Sequence, residues 1–257
     1  MIRFYLLPGL YLPWLDRDLD WVVIELDEVS STQDDLRNRI SGKIFPQDTL
    51  LCVQARRQTK GRGRHGRVWT TGEDGNLAFS FMVEKPSNYE SLGALSMLSG
   101  LAVFDAVQPY ISAGDMVLKW PNDVLIDGGK VSGILLEVEG DYVLIGIGVN
   151  VVSVPEAEKA ACALCSFCNE LPECSGVRAE ILSAFSDLYD HYQAEGFDVL
   201  REMWQARSFD VGTRMSVKLP GGTQDGLYEG VDPQGNLLLR GADNGLVTVR
   251  SGDVYLS

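Results

Sequence analysis

The 257 residues carry 45% hydrophobic, 23% charged and 9% aromatic side chains, a composition that excludes collagenous, low-complexity and disordered classes. A chain this long buries roughly three quarters of its unfolded surface and needs no disulfides to fold. Its 36 acids against 22 Lys and Arg give a formal net charge of −14, which opposes DNA or an anionic membrane as the main partner.

The opening run Met1 to Leu7 is broken by Pro8 and Pro13 and followed by Asp16, Asp18 and Asp20. It reads as neither a signal peptide nor a membrane span, so a cytoplasmic protein is expected. Residues 21–26 read as a strand, and Ser30-Ser31-Thr32 ahead of Gln33-Asp34-Asp35-Leu36-Arg37 is an N-cap pattern opening a helix. Residues 49–53 and 76–83 read as strands. The spacing of Leu92, Leu95, Leu98, Leu101, Ala102 and Val107 predicts a helix with its inner face on a sheet. Segments 116–119, 124–126, 130–138 and 142–146 are strands joined by turns too short for parallel crossovers, which makes them antiparallel hairpins. An alanine-rich helix is expected over 156–171, a longer one from Val177 to about Gly196, and a short one through Trp204. Beyond Phe209 come closely spaced short strands at 214–219, 227–230, 237–239 and 246–249. The fold class is therefore α+β. A mixed, largely antiparallel sheet with helices occupies residues 1–208, and a small β-barrel follows at 209–257.

Cys162, Cys165, Cys168 and Cys174 form a C-x2-C-x2-C-x5-C run. Thiolates so spaced can converge on a metal, but the favoured reading is Cys as a small apolar residue on the 156–171 helix. No protein metal site is assigned. The segment Arg56 to Trp69 holds six of the 22 basic residues, and no acid lies between Asp48 and Glu73. Its alternating glycines and arginines fit an anion-binding loop, disordered until the anion arrives, with Trp69 available to stack on a base. Gly61, Gly63 and Gly66 satisfy G-x-G-x-x-G, but a strand follows rather than the helix a dinucleotide fold requires. In Lys119-Trp120-Pro121-Asn122-Asp123, Lys119 is either a snorkelling edge lysine or a fixed cation beside a reacting carboxylate or phosphate, and Asn122 and Asp123 can be simple turn formers. The small break at Ser132-Gly133 and the Gly-Ile-Gly-Val-Asn at 146–150 mark places where a backbone is approached closely.

In order along the chain these pieces resemble the biotin protein ligase family (biotin–[acetyl-CoA-carboxylase] ligases). The matching residues are Ser31-Thr32, Gln58 with Gly61 to Trp69, Lys119 to Asp123, Lys130 to Leu135 and Gly148-Val149-Asn150, and the tail from about Gly212 resembles that family's SH3-like domain. The resemblance implies a class II synthetase-like catalytic domain. It implies biotin and Mg-ATP as substrates, biotinyl-5′-AMP as the intermediate, and a lysine of a biotin carboxyl carrier domain as acceptor. It also implies biotin contacts from Ser31, Thr32, Gln33, Gln58, Arg62, Gly63, Arg64, Lys119 and Gly133. Nucleotide contacts are implied for Arg62, Arg64, Arg67, Trp69, Asn122, Lys130 and Asn150, with Lys119 and Arg64 catalytic. Gln33 stands where family members often carry Asn. Only about twenty Pro-broken residues precede the first long strand, where bifunctional members carry a helix-turn-helix, so a DNA-bound role is not expected. The chain is expected to be a monomer or homodimer, with no DNA or membrane partner. The competing readings are a lipoate–protein ligase and a non-catalytic biotin-binding module.

Overall fold

The computed structural model describes residues 4–5, 21–41, 43, 50–71, 75–85, 90–154, 160–219 and 221–256. Strands β1 (Phe4–Tyr5) and β2 (Trp21–Val29) pair antiparallel, and α1 (Thr32–Ile40) then carries the chain over to β3 (Leu50–Gln58), parallel to β2. Then come β4 (Leu77–Glu84), the long helix α2 (Glu90–Val107), and the strands β5 (Met116–Lys119), β6 (Asp123–Ile126), β7 (Gly129–Glu139) and β8 (Tyr142–Val149). Among the described residues these make an eight-stranded sheet ordered β1-β2-β3-β4-β8-β7-β6-β5. Among the described residues its one parallel ladder, β2 with β3, is joined through α1, whereas the tight turns from β5 to β8 force antiparallel neighbours. Helices α3 (Cys174–Glu195) and α4 (Phe197–Arg207) precede β9 (Arg214–Leu219), β10 (Gly222–Val231), β11 (Leu237–Arg240), β12 (Leu246–Val249) and β13 (Asp253–Leu256). These last five form a second, antiparallel sheet ordered β12-β11-β10-β9-β13.

Period-two alternation decides what each face of the large sheet meets. On β8, Val143, Ile145, Ile147 and Val149 are buried in the main core with Leu95, Leu98 and Leu101 of α2 and Ile181 and Phe185 of α3. Leu144 points to the other face, where α1 packs Leu36 and Ile40 against Ile24, Leu51, Val53 and Met82. Next on that face come Gly146, Gly148 and Asn150, which no longer lie under the apolar side of α1; they border a cleft instead. The stretch Leu92–Tyr110 is apolar and long enough to cross a membrane, but it is 67% buried and serves as the core helix. Arg178 of α3 is 2% exposed and donates to Glu25 on β2 at 2.7 Å and to Gln54 on β3. The main core runs without a break into the second sheet through Met215, Val217, Tyr228 and Leu239.

The hairpins and helices stand within a few residues of their expected bounds, and the antiparallel-dominated α+β class holds. The 156–171 helix does not. Residues 155–159 lie outside the described residues, and 160–171 contain only a 3-10 turn at Leu164–Ser166 between isolated bridges. The reason is a competing ladder. Lys130 N–H donates to Ala160 O at 2.8 Å and Cys162 N–H to Lys130 O at 3.0 Å, stitching the segment to the start of β7. Strand β13 and the full length of β10 were not foreseen, and the membrane and signal-peptide readings of residues 1–20 fall mostly outside the described residues.

Candidate active site

A cleft of about 380 Å³ lies on the α1 face of the large sheet, beyond the N-terminus of that helix. Every residue singled out for biotin or nucleotide contact lines it: Ser31, Thr32, Gln33, Gln58, Arg62, Gly63, Arg64, Arg67, Trp69, Lys119, Asn122, Lys130, Gly133 and Asn150. They divide into an uncharged end and a cationic end.

At the uncharged end, Ser31 caps α1 by accepting from Asp34 N–H at 3.4 Å, so the capping and site readings of this residue coexist. Thr32 gives both its backbone N–H (2.8 Å) and its hydroxyl (3.1 Å) to Gln58 Oε1, and its hydroxyl also bonds Ser80 Oγ at 2.9 Å. Gln33 is 3% exposed and donates through Nε2 to Leu144 O at 3.0 Å. Its Oε1 has no hydrogen-bond partner among the described residues and lies against Gly146, where a Cβ would come within 2.7 Å of it. A buried acceptor without a donor is costly, which makes this oxygen a candidate acceptor for a bound N–H group.

At the other end the β5–β6 hairpin sets Lys119 opposite Asp123, and Lys130 enters from β7. Asp123 binds Lys119 Nζ at 3.0 Å and Lys130 Nζ at 2.7 Å. Burial pushes the Asp123 carboxyl up, but the two lysines outweigh it and hold the group below its usual range. The three side chains sum to one positive charge. Arg64 adds another, bonded to Asn122 Oδ1 at 3.0 Å, while Asn122 donates back to Ile134 O. Burial lowers the pKa of Arg64 from its ordinary value, with Asp253 and Asp123 opposing. Asn150 spans the wall, donating to Lys130 O and Cys162 O at 3.3 Å each.

The arginine loop roofs the cleft. Trp69 N–H donates to Gly61 O at 2.9 Å and Gly63 N–H to Arg67 O at 2.8 Å, closing a small hairpin around a 3-10 turn at Arg64–Gly66. A Cβ on Gly61 would sit 2.2 Å from Trp69 O, so only glycine fits there. The indole of Trp69 lies on Gly148 and Gly133, which face each other across β7 and β8, with Lys130 Nζ 5.7 Å from the ring centroid. Trp69 thus approaches the backbone closely at Gly148 and, together with Lys130, at Gly133. The loop, expected to be disordered until an anion arrives, is a folded hairpin in this structure, and each of its arginines has an intramolecular partner there. Arg62 binds Asp34 at 2.8 Å and Glu137 at 3.0 Å, Arg64 binds Asn122, and Arg67 binds Asp253.

Several lining or supporting residues escaped the sequence reading. Asp123 was legible as more than a turn former, since a hairpin turn that tight must set it opposite Lys119. Ser80 lies in an otherwise apolar strand, and Gly252 to Tyr255 line the cleft from the distant β13; neither carries a local signal. The four cysteines of the run do not converge. Cys162 donates to Gly129 O at 3.1 Å, Cys165 to Val152 O at 3.1 Å and Cys174 to Gly75 O at 3.4 Å.

Comparison with known proteins gives a consistent picture. The description "Biotin/lipoate A/B protein ligase family" matches residues 26–150, and "Biotin protein ligase C terminal domain" matches residues 212–257. The chain is 35% identical over 246 residues to a biotin–[acetyl-CoA-carboxylase] ligase of Mycobacterium tuberculosis, covering 93% of this chain and 88% of that protein. It is 32% identical over 241 residues to the bifunctional ligase/repressor BirA of Bacillus subtilis, covering 90% of this chain and 72% of that one. The biotin protein ligase of Aquifex aeolicus, solved in complex with biotin and ATP, matches with a TM-score of 0.80 and 30% identity over 91% of this chain and 99% of that one.

Proposed function

The chain belongs to the biotin protein ligase family, and we propose that it activates biotin as biotinyl-5′-AMP and passes the biotinyl group to a lysine of a biotin carrier protein domain. The observation that carries this reading is the two-ended cleft. Neutral hydrogen-bonding groups at one end suit a cyclic urea, and a cationic cluster at the other suits two anions that must meet.

In the first step a biotin carboxylate oxygen attacks the α-phosphorus of ATP, a P–O bond to the β-phosphate breaks, and pyrophosphate leaves. In the second, the acceptor amine attacks the anhydride carbonyl, the C–O bond to AMP breaks and the amine loses a proton. Ser31, Thr32 and Gln58 hold the urea, and the free Gln33 Oε1 accepts one of its N–H groups. Arg62, Gly63 and Gly133 border the acyl chain and carboxylate. Lys119, held in place by Asp123, stabilises charge growing between carboxylate and α-phosphate. Arg64 covers the phosphates, and Arg67, Trp69, Asn122, Lys130 and Asn150 complete the nucleotide side. The folded loop keeps water and stray amines from the anhydride.

Mg2+ enters as part of the nucleotide substrate. The cleft carboxylates Asp123 and Asp253 already face lysines or arginines, and no cluster of three metal-binding side chains occurs among the described residues, so no step is assigned to a protein-held ion. In this reading residues 1–208 form the catalytic unit and 209–257 the SH3-like unit, supported by the separate second sheet. A cytoplasmic site of action is in keeping with five free cysteines. A lipoate substrate would leave Gln33 Oε1 unmatched, since a dithiolane ring has no N–H. The test is ATP–pyrophosphate exchange driven by biotin or by lipoate, followed by label transfer to a biotin carrier domain. Exchange driven by lipoate alone would overturn the reading.

A further inference from the structure

Two contacts tie the second sheet to the motifs of the cleft. Trp120, 4% exposed, donates through Nε1 to Gly235 O at 2.8 Å, in the turn between β10 and β11. Arg67, at the foot of the loop, pairs with the carboxylate of Asp253, the first residue of β13. That carboxylate is well placed to hold something still. Its side chain is 22% exposed, and its strand is laddered to β9 with Asp253 opposite Lys218. The loop is therefore fastened at separate points: Arg62 to Asp34 and Glu137, Arg64 to Asn122, and Arg67 to Asp253. Among these partners Asp253 alone comes from the second sheet.

A carboxylate at the mouth of a cleft that receives phosphates is electrostatically unfavourable for the ligand. Its presence there calls for a compensating purpose, and the geometry supplies one. We infer that Asp253 is a positioning residue for the arginine loop, holding Arg67 so that the second sheet takes part in keeping the loop closed over the acyl-adenylate. What is retained under the loop rests on the ligase reading; that Asp253 holds the loop does not.

The experiment compares wild type with Asp253→Asn, Asp253→Glu, Arg67→Ala and the double variant Arg67→Ala/Asp253→Asn, using the full chain. One readout is the rate of tryptic cleavage after Arg62 and Arg64 without substrates. The other is adenylate escape, taken as biotin attached to an unrelated lysine-rich protein per pyrophosphate released. Asp253→Asn should raise both by about two- to fivefold, the range open to a partly exposed ion pair. Asp253→Glu should restore wild-type values, and Asp253→Asn should add nothing in the Arg67→Ala background. Unchanged loop cleavage in Asp253→Asn would overturn the inference. So would equal defects in the Asn and Glu variants, or additive effects in the double variant. If wild type makes no adenylate, the ligase reading falls, and the cleavage arm alone decides the role of Asp253.

Discussion

Replacing Gly148 by alanine tests whether Trp69 on its glycine platform is what shapes the cleft. The backbone at Gly148 is ordinary strand, so alanine there should gain about 0.5–1 kcal/mol of folding stability from lower unfolded-chain entropy. Against this, the new Cβ would lie 2.2 Å from Trp69 Cε2 and 2.4 Å from Nε1, far inside contact distance. The neighbour is the body of an indole whose backbone is fastened to Gly61, so the ring must slide and take the loop with it. Forced repacking of this kind typically costs about 1–3 kcal/mol, which predicts a roughly 5- to 150-fold loss in biotin-dependent pyrophosphate exchange. Net of the entropy gain, unfolding should show between no change and about 2.5 kcal/mol of destabilisation. The Gly133→Ala variant is the internal comparison. Its Cβ meets Lys130 Cε and Nζ at 2.9 Å, the far end of a flexible chain, and the indole only at 3.1 Å, so its loss should be smaller. In a Trp69→Ala background, Gly148→Ala should have no further effect. Activity of Gly148→Ala within twofold of wild type would refute the platform argument.

Lys119→Gln should slow adenylate formation about 100- to 1,000-fold while leaving biotin affinity nearly unchanged, because the lysine acts on charge that develops only in the transition state; rapid-quench rates against equilibrium biotin titration separate the two. Arg64→Gly should let adenylate escape, raising biotinylation of a bystander protein by roughly tenfold or more through the loss of charge-assisted bonds to phosphate. For Asp123, burial raises the carboxyl but Lys130 and Lys119 lower it further, so the folded value lies below the unfolded one. The stabilisation is thus complete above about pH 4, the ordinary carboxyl value, and is lost as pH falls through the folded value. Denaturant titrations should show a constant stability gap between wild type and Asp123→Asn from about pH 5 to 8, closing below about pH 4.

The class of fold and the membership of the cleft were legible in the chain because both depend on local signals. Turns as short as those at 120–122 and 127–128 permit only hairpins, so the order of β5 to β8 follows from spacing. Basic residues concentrated in an acidic chain, interleaved with glycine, have few uses other than meeting an anion, and Arg62, Arg64 and Arg67 all reached the cleft. Gly133 and Gly148 announced a close approach, though not that the indole of Trp69 makes it.

What escaped was decided at long range. The 156–171 helix failed because Lys130 at the start of β7 offered the backbone of Ala160 and Cys162 its hydrogen bonds, and helix propensity does not report on a partner about thirty residues earlier in the chain. The loop's folded state is set by carboxylates on α1, β7 and β13, which its own sequence cannot reveal. Gln33 was singled out only through the family resemblance; that Leu144 and Gly146 surround its amide and leave one oxygen without a donor among the described residues is decided by the tertiary structure. Spacing along the chain determined which residues could serve the chemistry; tertiary packing decided which acid steadies which arginine, because ion pairs between distant segments depend on distances in space that the order of residues does not contain.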